Sequence, residues 1–149
     1  MAQQTNEESN DFLLVQVSKL HRSRAHHLLE SLGLYRGQTH VLRALWEQEG
    51  MTHGELAAQI RVQPATITKM IQRMEKAGFV ARRPDPKDQR VSRVYLTEAG
   101  RTVQGKVEQV WQTLEDETFA GFTFEERVLL RRFFLQIREN LSRAGKSKQ

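Results

Sequence analysis

The sequence predicts a mainly α-helical fold that carries one small β-hairpin. Apolar residues recur every three or four positions through most of the 149 residues, which is the period of an amphipathic helix. Capping sequences such as Thr52-His53-Gly54-Glu55 mark where helices begin. Between Phe79 and Leu96 the pattern changes to strand-like residues around a turn that holds two of the three prolines. These observations predict six helices, with the hairpin between the fourth and the fifth.

Two helices are predicted before the first capping sequence. Asp11 is a candidate N-cap for a helix over about 11–32, which Gly33 would end. The second helix is expected over about 38–48, with Gly50 placed to close it.

A helix-turn-helix follows. The third helix is expected over about 54–60, and Pro64 occupies the first position of the fourth, where its missing N–H leaves nothing unsatisfied. Gly78 would end this helix. Its apolar stripe, which predicts the face turned to the core, consists of Ile67, Met70, Ile71 and Met74. Two short helices joined by a tight turn are typical of this motif.

The strand-like segment predicts a wing. Phe79 to Arg83 and Val91 to Leu96 are expected to pair as strands around the turn at 84–88. A hairpin directly after a helix-turn-helix makes the predicted fold class a winged helix-turn-helix with dimerisation helices at the N- and C-terminal ends.

Long helices flank the winged lobe, which we expect over 36–97. Thr97 caps a helix predicted to run unbroken over 98–118, and Thr123-Phe124-Glu125-Glu126 opens the sixth helix. We expect 11–32 and 123–144 to be dimerisation helices, joined to the lobe by 98–118, and 1–10 and 145–149 to be disordered.

These flanking helices offer more apolar surface than so small a lobe can bury alone, which favours a homodimer. The candidate interface residues are Leu13, Val17, Leu20, Leu130, Phe133, Phe134, Ile137 and Leu141.

Positive charge is concentrated in one segment. The chain has a net charge of +5, whereas Arg61 to Tyr95 alone carries nine basic and three acidic residues, so the rest is slightly acidic. Such a segment attracts a polyanion, because each Lys or Arg that neutralises a phosphate releases counterions. A merely solubilising surface is the alternative interpretation.

Composition excludes several classes of protein. Without cysteine the chain has no disulfide, no thiolate zinc site and no cysteine-based redox sensor. The polar start and the lack of a long apolar run favour a cytoplasmic protein without a membrane span. With no glycine-rich phosphate loop, HExxH pair or nucleophile elbow, we expect neither an enzyme nor a bound cofactor.

The candidate DNA-reading residues lie at the start of the fourth helix and at the wing tip. Threonine meets phosphates or thymine methyls in the major groove, and lysine or arginine reaches guanine acceptors. Ordinary surface residues, with Arg73 paired to Glu75 or to a neighbouring chain, are the alternative. The candidates are Pro64, Ala65, Thr66, Thr68, Lys69, Arg73, Lys87, Asp88 and Arg90.

The wing carries the sharper signal. In Asp88-Gln89-Arg90 the carboxylate and the arginine share one face of an extended segment, so the aspartate can orient the guanidinium. An oriented arginine at a hairpin tip has the reach to enter a minor groove of enhanced negative potential.

Together these stretches resemble the MarR family of multiple-antibiotic-resistance-type regulators over 11–144. Each match is short, but their order and spacing are specific. The matching stretches are Gly33-Leu34, Thr39 to Leu45, Leu56-Ala57, Pro64 to Lys69, Met74 to Val80, Asp88-x-Arg90, Leu96-Thr97-x-x-Gly100, and Glu125 to Leu141.

The resemblance implies a sequence-specific transcription regulator. Its dimer would interleave the first, fifth and sixth helices of two chains and place two winged lobes on successive major grooves of a pseudo-palindromic operator. It further implies a repressor that responds to a small phenolic or anionic ligand between the lobes, although no residue identifies that ligand site. A winged helix used for architectural DNA binding or protein docking, without operator specificity, is the alternative function.

Histidines near the first two helices raise the question of a metal. His26 and Glu30 have i, i+4 spacing, but zinc needs three or four converging ligands. Because helical spacing brings two together and the fifth helix supplies no histidine, we expect no metal site. The other residues considered are His21, His27 and His40.

Overall fold

The computed structural model describes residues 9–146 and confirms the predicted mainly helical fold with a small antiparallel sheet. The helices are α1 (Asn10–Glu30), α2 (Arg36–Glu47), α3 (His53–Ile60), α4 (Pro64–Lys76), α5 (Glu98–Thr102), α6 (Gln104–Thr118) and α7 (Phe124–Lys146). The strands are β1 (Met51–Thr52), β2 (Val80–Pro84) and β3 (Ser92–Leu96).

The wing is part of a three-stranded sheet, with strand order β1-β3-β2. The predicted hairpin is present, with Val80 opposite Leu96 and Pro84 opposite Ser92. Strand β1 was not predicted: its Met51 pairs with Val94 and fixes the wing to the start of α3. A two-residue strand is too short to show a period in the sequence.

Both chain ends are more helical than expected. Asp11 is not the N-cap of α1, because the Oγ of Ser9 accepts the N–H of Phe12 at 3.1 Å and starts the helix earlier. Asn10 is helical, and α7 continues through Gly145 to Lys146, so the expectation of disorder was wrong at these positions. The rest of the segments expected to be disordered, 1–8 and 147–149, lie outside the described residues.

The helix predicted over 98–118 is broken at Val103. Its N–H donates to the carbonyls of Ala99 and Arg101, which ends α5, and α6 begins at the next residue. Val103 itself is buried in the core, and its carbonyl accepts the N–H of Val107 at 3.0 Å. The two helices therefore follow each other with a single non-helical residue between them.

The core of the winged lobe lies beneath α4 and the sheet. The largest fully buried side chains of the lobe come from every helix from α2 to α4 and from β2 and β3. Trp46 joins α2 to α5, because its Nε1 donates to the carbonyl of Gly100 at 2.9 Å. The core residues include Leu34, Leu42, Leu45, Leu56, Ile67, Ile71, Met74, Val80 and Val94.

Contacts divide the chain into two units at Leu114. The first unit contains the winged lobe together with α1, whose Ala25 and Leu29 are fully buried. The C-terminal part of α1, predicted to serve dimerisation, therefore also contributes to the core of this unit. The second unit contains the end of α6 and all of α7, and no residue of α7 is buried.

Candidate DNA-binding site

The turn between α3 and α4 is built from local signals. Thr52 and Glu55 form the predicted capping box, with Thr52 Oγ1 accepting the Glu55 N–H at 3.2 Å and Glu55 Oε2 accepting the Thr52 N–H at 2.8 Å. Arg61 adopts a left-handed conformation (φ +56°), so that the next N–H, of Val62, donates to the Ala57 carbonyl. Pro64 then starts α4 as its first residue.

Helix α4 presents two distinct faces. Ile67, Ile71 and Met74 are buried, as predicted, and Met70 is half-buried against the core. The candidate DNA-reading residues Pro64, Ala65, Thr66, Lys69 and Arg73 are exposed, while Thr68 is half-buried. Helical spacing places Thr66, Lys69 and Arg73 on one side, since they are three and four residues apart.

The start of α2 contributes to this side of α4, which the sequence did not indicate. Thr66, Lys69 and Arg73 line a shallow groove of about 290 Å³ together with Tyr35 and Gly37. The sequence analysis expected this helix to begin at about position 38 and singled out neither Tyr35 nor Gly37. A groove with basic residues in its lining, beside the N-terminus of α2, suits a phosphate-bearing partner.

The alternative pairing of Arg73 with Glu75 is not present. Glu75 instead accepts a hydrogen bond from Arg82 Nε on β2 at 2.6 Å. This ion pair joins α4 to the wing at the surface.

At the wing tip Asp88 and Arg90 pair as predicted, but the segment is a turn and not extended, since the Asp88 carbonyl accepts the N–H of Val91 at 2.9 Å. Asp88 Oδ1 accepts two hydrogen bonds from Arg90, one from the backbone N–H at 3.1 Å and one from the side-chain Nε at 3.1 Å. Asp88 Oδ2 accepts a third, from Nη2 of Arg90, at 3.2 Å. The side chain of Arg90 is nonetheless 90% exposed. The Arg90 guanidinium holds the pKa of Asp88 below its ordinary value, so the carboxylate stays ionised at neutral pH. The aspartate thus orients an arginine that remains accessible.

A second aspartate of the wing, Asp85, was overlooked. Its buried carboxylate accepts the N–H of Lys87 at 2.7 Å and of Asp88 at 3.2 Å, and also a hydrogen bond from Arg93 Nε. Arg93 further donates to the carbonyl of Gly50 at 2.7 Å, across the sheet. The hydrogen bond from Arg93, and then that from Lys87, lower the pKa of Asp85. An aspartate between two prolines was the available signal for such a turn.

These contacts revise the charge interpretation. Arg82 is paired with Glu75 and Arg93 with Asp85, and the Arg83 guanidinium lies 5.1 Å from the centre of the Tyr95 ring. Two of the nine basic residues in the segment, Arg82 and Arg93, therefore help to hold the wing on the lobe, and Arg83 packs within the wing. The basic residues left to face a polyanion are Arg61 in the turn before α4, those on α4, and those at the wing tip, where Lys87 is exposed beside Arg90.

A cavity of about 600 Å³ lies between α2 and α6. Its wall includes the basic residues Arg36, His40 and Arg43, and both tryptophans of the chain, Trp46 and Trp111. Burial, followed by the charges of Arg36 and Arg43, lowers the pKa of His40, so its ring is neutral at pH 7. The other lining residues are Thr39, Glu47, Gln104, Val107, Glu108 and Gln112.

The histidines considered as metal ligands do not converge. Within residues 9–146 no three side chains of His, Asp or Glu come close enough to hold an ion. His26 stacks on Tyr35, with the ring centres 5.9 Å apart.

The predicted dimer residues lie on exposed apolar surfaces of α1 and of α7. On α1, Leu13, Val17 and Leu20 are about half exposed or more. On α7, Leu130 and Phe134 line an apolar groove of about 510 Å³, and the other candidates, Phe133, Ile137 and Leu141, are exposed. None of the helices over 9–146 has the length and hydropathy to cross a membrane.

Comparison with known proteins settles the family. The model of the MarR family matches residues 34–92. The HTH-type transcriptional regulator YwoH of Bacillus subtilis (strain 168) is 32% identical over 124 residues, which cover 81% of this chain and 90% of that protein. This chain belongs to the MarR family. Its relatives are transcriptional regulators and not enzymes, and the chain is accordingly a DNA-binding transcription regulator.

Other MarR-family relatives agree along most of the chain. The HTH-type transcriptional regulator TtmR of Methylorubrum extorquens (strain PA1) is 34% identical over 106 residues, 70% of this chain, although that match spans only 53% of TtmR. A crystal structure of MarR is 28% identical, with a TM-score of 0.72, and covers 89% of this chain and 97% of that one. The structure of a MarR variant from E. coli complexed with operator DNA is 25% identical, with a TM-score of 0.72. The match covers 84% of this chain and 90% of that one.

Proposed function

We propose that this MarR-family protein binds a specific operator as a homodimer, represses transcription there, and leaves the DNA when a small aromatic anion binds. The observation that carries the proposal is the pairing of an exposed basic face on α4 with a wing tip whose arginine is oriented by Asp88. Other basic residues of the segment are engaged in holding the wing.

Helix α4 is the element proposed to enter the major groove. Its exposed first turns, with Pro64, Ala65 and Thr66, are small enough to approach the base edges closely. Lys69 and Arg73, one turn apart, have the reach to contact guanine acceptors or phosphates. The groove beside Tyr35 would follow the phosphate backbone on the same side.

The wing is proposed to contact the minor groove next to the site of α4. Arg90 is held by two hydrogen bonds from its guanidinium, so less conformational entropy is lost when it binds. Lys87 lies at the same tip and adds a contact to phosphate.

Specific binding distinguishes a regulator from an architectural or docking module. Operator sequences are selected from random DNA with the full chain, and affinity for the selected duplex is compared with a shuffled duplex at the same salt concentration. We expect a preference of about 10³-fold or more. Equal affinities would instead favour sequence-indifferent DNA binding, and no binding to either duplex would favour protein docking.

The homodimer is proposed to form through α7 and the exposed part of α1. The groove on α7 is lined by Leu130, Phe134 and other apolar residues, and exposed apolar patches of this kind usually mark an interface. Two-fold symmetry would make the interface self-complementary and place two winged lobes on one pseudo-palindrome.

Phe134→Glu is expected to split this dimer. A carboxylate would have to be buried in an apolar interface, whereas Phe134 is 45% exposed in the single chain, so the helix itself should still form. Light scattering at micromolar concentration should give the mass of two chains for the wild type and of one chain for the variant. Gln136→Glu, which introduces the same charge on roughly the opposite side of α7, should remain a dimer. A monomeric wild type would contradict the proposed assembly.

The cavity between α2 and α6 is the proposed effector site. Its volume of about 600 Å³ suits a small ligand, and the two indole rings favour an aromatic one. Arg36 and Arg43 supply positive charge for an anion, although Glu47 and Glu108 of the same lining oppose it. Because both tryptophans of the chain line the cavity, saturable quenching of their fluorescence by hydroxybenzoates should accompany release of the selected duplex. Quenching without release would separate ligand binding from regulation.

A further inference from the structure

His53 contacts α4, the helix proposed to enter the major groove. It is the first residue of α3, and its Nδ1 lies 3.4 Å from the Oγ1 of Thr68 on α4. The other ring nitrogen, Nε2, is buried and has no hydrogen-bond partner in the part of the chain between residues 9 and 146. No sequence pattern singled out His53, because the contact joins two helices across the motif.

The unpartnered nitrogen determines which tautomer fits. A buried N–H without an acceptor is rarer in proteins than an acceptor without a donor, so the proton is assigned to Nδ1. Nδ1–H then points at Thr68 Oγ1. The hydroxyl hydrogen of Thr68 is left to donate to another group, and Thr68 is half-buried.

A second proton on the ring would be poorly accommodated. It would place a buried Nε2–H without an acceptor on a positively charged ring. Two charged groups act on the ring: Arg82 on β2 and Glu75 on α4, and these pair with each other at 2.6 Å, which limits how much Glu75 can compensate. Burial, and then the charge of Arg82, lower the pKa of His53, with Glu75 opposing them.

We propose that His53 is a positioning residue for operator binding: its neutral ring holds the Thr68 hydroxyl in the orientation that meets the DNA, and protonation releases it. The proposal rests on the proposed role of α4 in the major groove. A protonated ring would have to leave its place between α3 and α4 to hydrate Nε2, and Thr68 would lose its partner. Operator affinity should therefore fall on acidification.

The direction of this effect is diagnostic. Protonation of a histidine near DNA ordinarily strengthens binding, because it adds a positive charge beside the phosphates. Acidification should also destabilise the fold. The pKa of His53 is lower in the folded protein than in the unfolded chain, so below about pH 6.5 the unfolded state binds more protons than the folded state. The free energy of unfolding therefore decreases as the pH falls.

The test compares wild type, His53→Asn and His53→Ala on the selected operator at about pH 7.5 and about pH 5. Asparagine places an amide group near the position of Nδ1 but does not titrate. We expect the wild type to lose about threefold more affinity on acidification than His53→Asn. At the higher pH, His53→Ala should bind about fivefold more weakly than wild type, as for one lost hydrogen bond, and His53→Asn should restore most of this loss.

Two results would overturn the proposal: the same pH dependence in wild type and His53→Asn, or wild-type affinity in a folded His53→Ala. If His53→Ala does not fold, the comparison of wild type with His53→Asn still decides. Lys69→Ala is measured beside them. If both His53→Ala and Lys69→Ala bind like wild type, the assignment of α4 to the major groove is wrong. If Lys69→Ala binds weakly and His53→Ala binds like wild type, only the role of His53 is contradicted.

Discussion

Replacing Arg90 with alanine is expected to weaken operator binding about 10- to 100-fold at fixed salt. Both wings of a dimer would lose their oriented guanidinium at once, whereas the fold should be unaffected, because the side chain is 90% exposed and pairs with its neighbour Asp88. The loss should fall mainly on the A·T-rich positions that flank the major-groove contacts, where a narrow minor groove attracts arginine. The slope of affinity against salt should also become shallower.

Fluorescence anisotropy with the selected duplex, and with duplexes altered at the flanking or the central positions, measures these effects. Arg132→Ala removes the same charge from an exposed site outside the basic segment and should change affinity little. Lys69→Ala should instead change affinity or preference at the central positions. Asp88→Asn keeps the arginine but weakens its orientation, so an intermediate loss is expected. Unchanged affinity of Arg90→Ala would refute the wing contact.

Replacing Gly100 with alanine should destabilise the lobe by about 3 kcal/mol, because there is no room for a side chain at this position. A Cβ would lie 2.1 Å from the carbonyl oxygen of Phe79 and 3.1 Å from Leu96 Cδ2. That oxygen belongs to the backbone and already accepts the N–H of Thr97 at 3.1 Å, so it cannot simply move aside. The carbonyl of Gly100 would also lose its alignment with Trp46.

Urea unfolding followed by circular dichroism measures this change, and the thermal midpoint should fall by about 10 °C. Gly105→Ala supplies the matched control, because a Cβ there meets nothing within 4 Å and alanine favours the helical conformation of α6. This control should be unchanged or up to about 1 kcal/mol more stable. A midpoint for Gly100→Ala within a few degrees of wild type would show that β2 and α5 can separate without cost.

The predictions from sequence were most accurate where the signal was local. The capping boxes at Thr52 and at Thr123 are present, as is the stop at Gly78, which has a positive φ of +87°. The pairing of Asp88 with Arg90 was predicted from their spacing, although they meet in a turn and not on the extended segment that the prediction assumed. The basic excess was also correctly located, although the sequence could not say which arginines it leaves for DNA.

The features that the sequence did not predict depend on contacts between distant segments. Arg93 binds Asp85 and the carbonyl of Gly50, which lies 43 residues away, and β1 exists because Met51 pairs with Val94. His53 meets Thr68 because α3 and α4 cross. The end of the fifth predicted helix at Val103 is another such case, since the apolar period continues through it without interruption.

By itself, then, the sequence determined the kinds of element, their order, the exposed face of α4 and the arginine at the wing tip. Each of these depends on residues within about four positions of one another, where helical and strand periods and side-chain caps act. The tertiary structure alone decided that Asp85 and Arg93 anchor the wing, that His53 contacts Thr68 on α4, and that Gly100 packs against the backbone of Phe79. Those features arise where separate elements pack together, and packing depends on three-dimensional distances that no short-range pattern encodes.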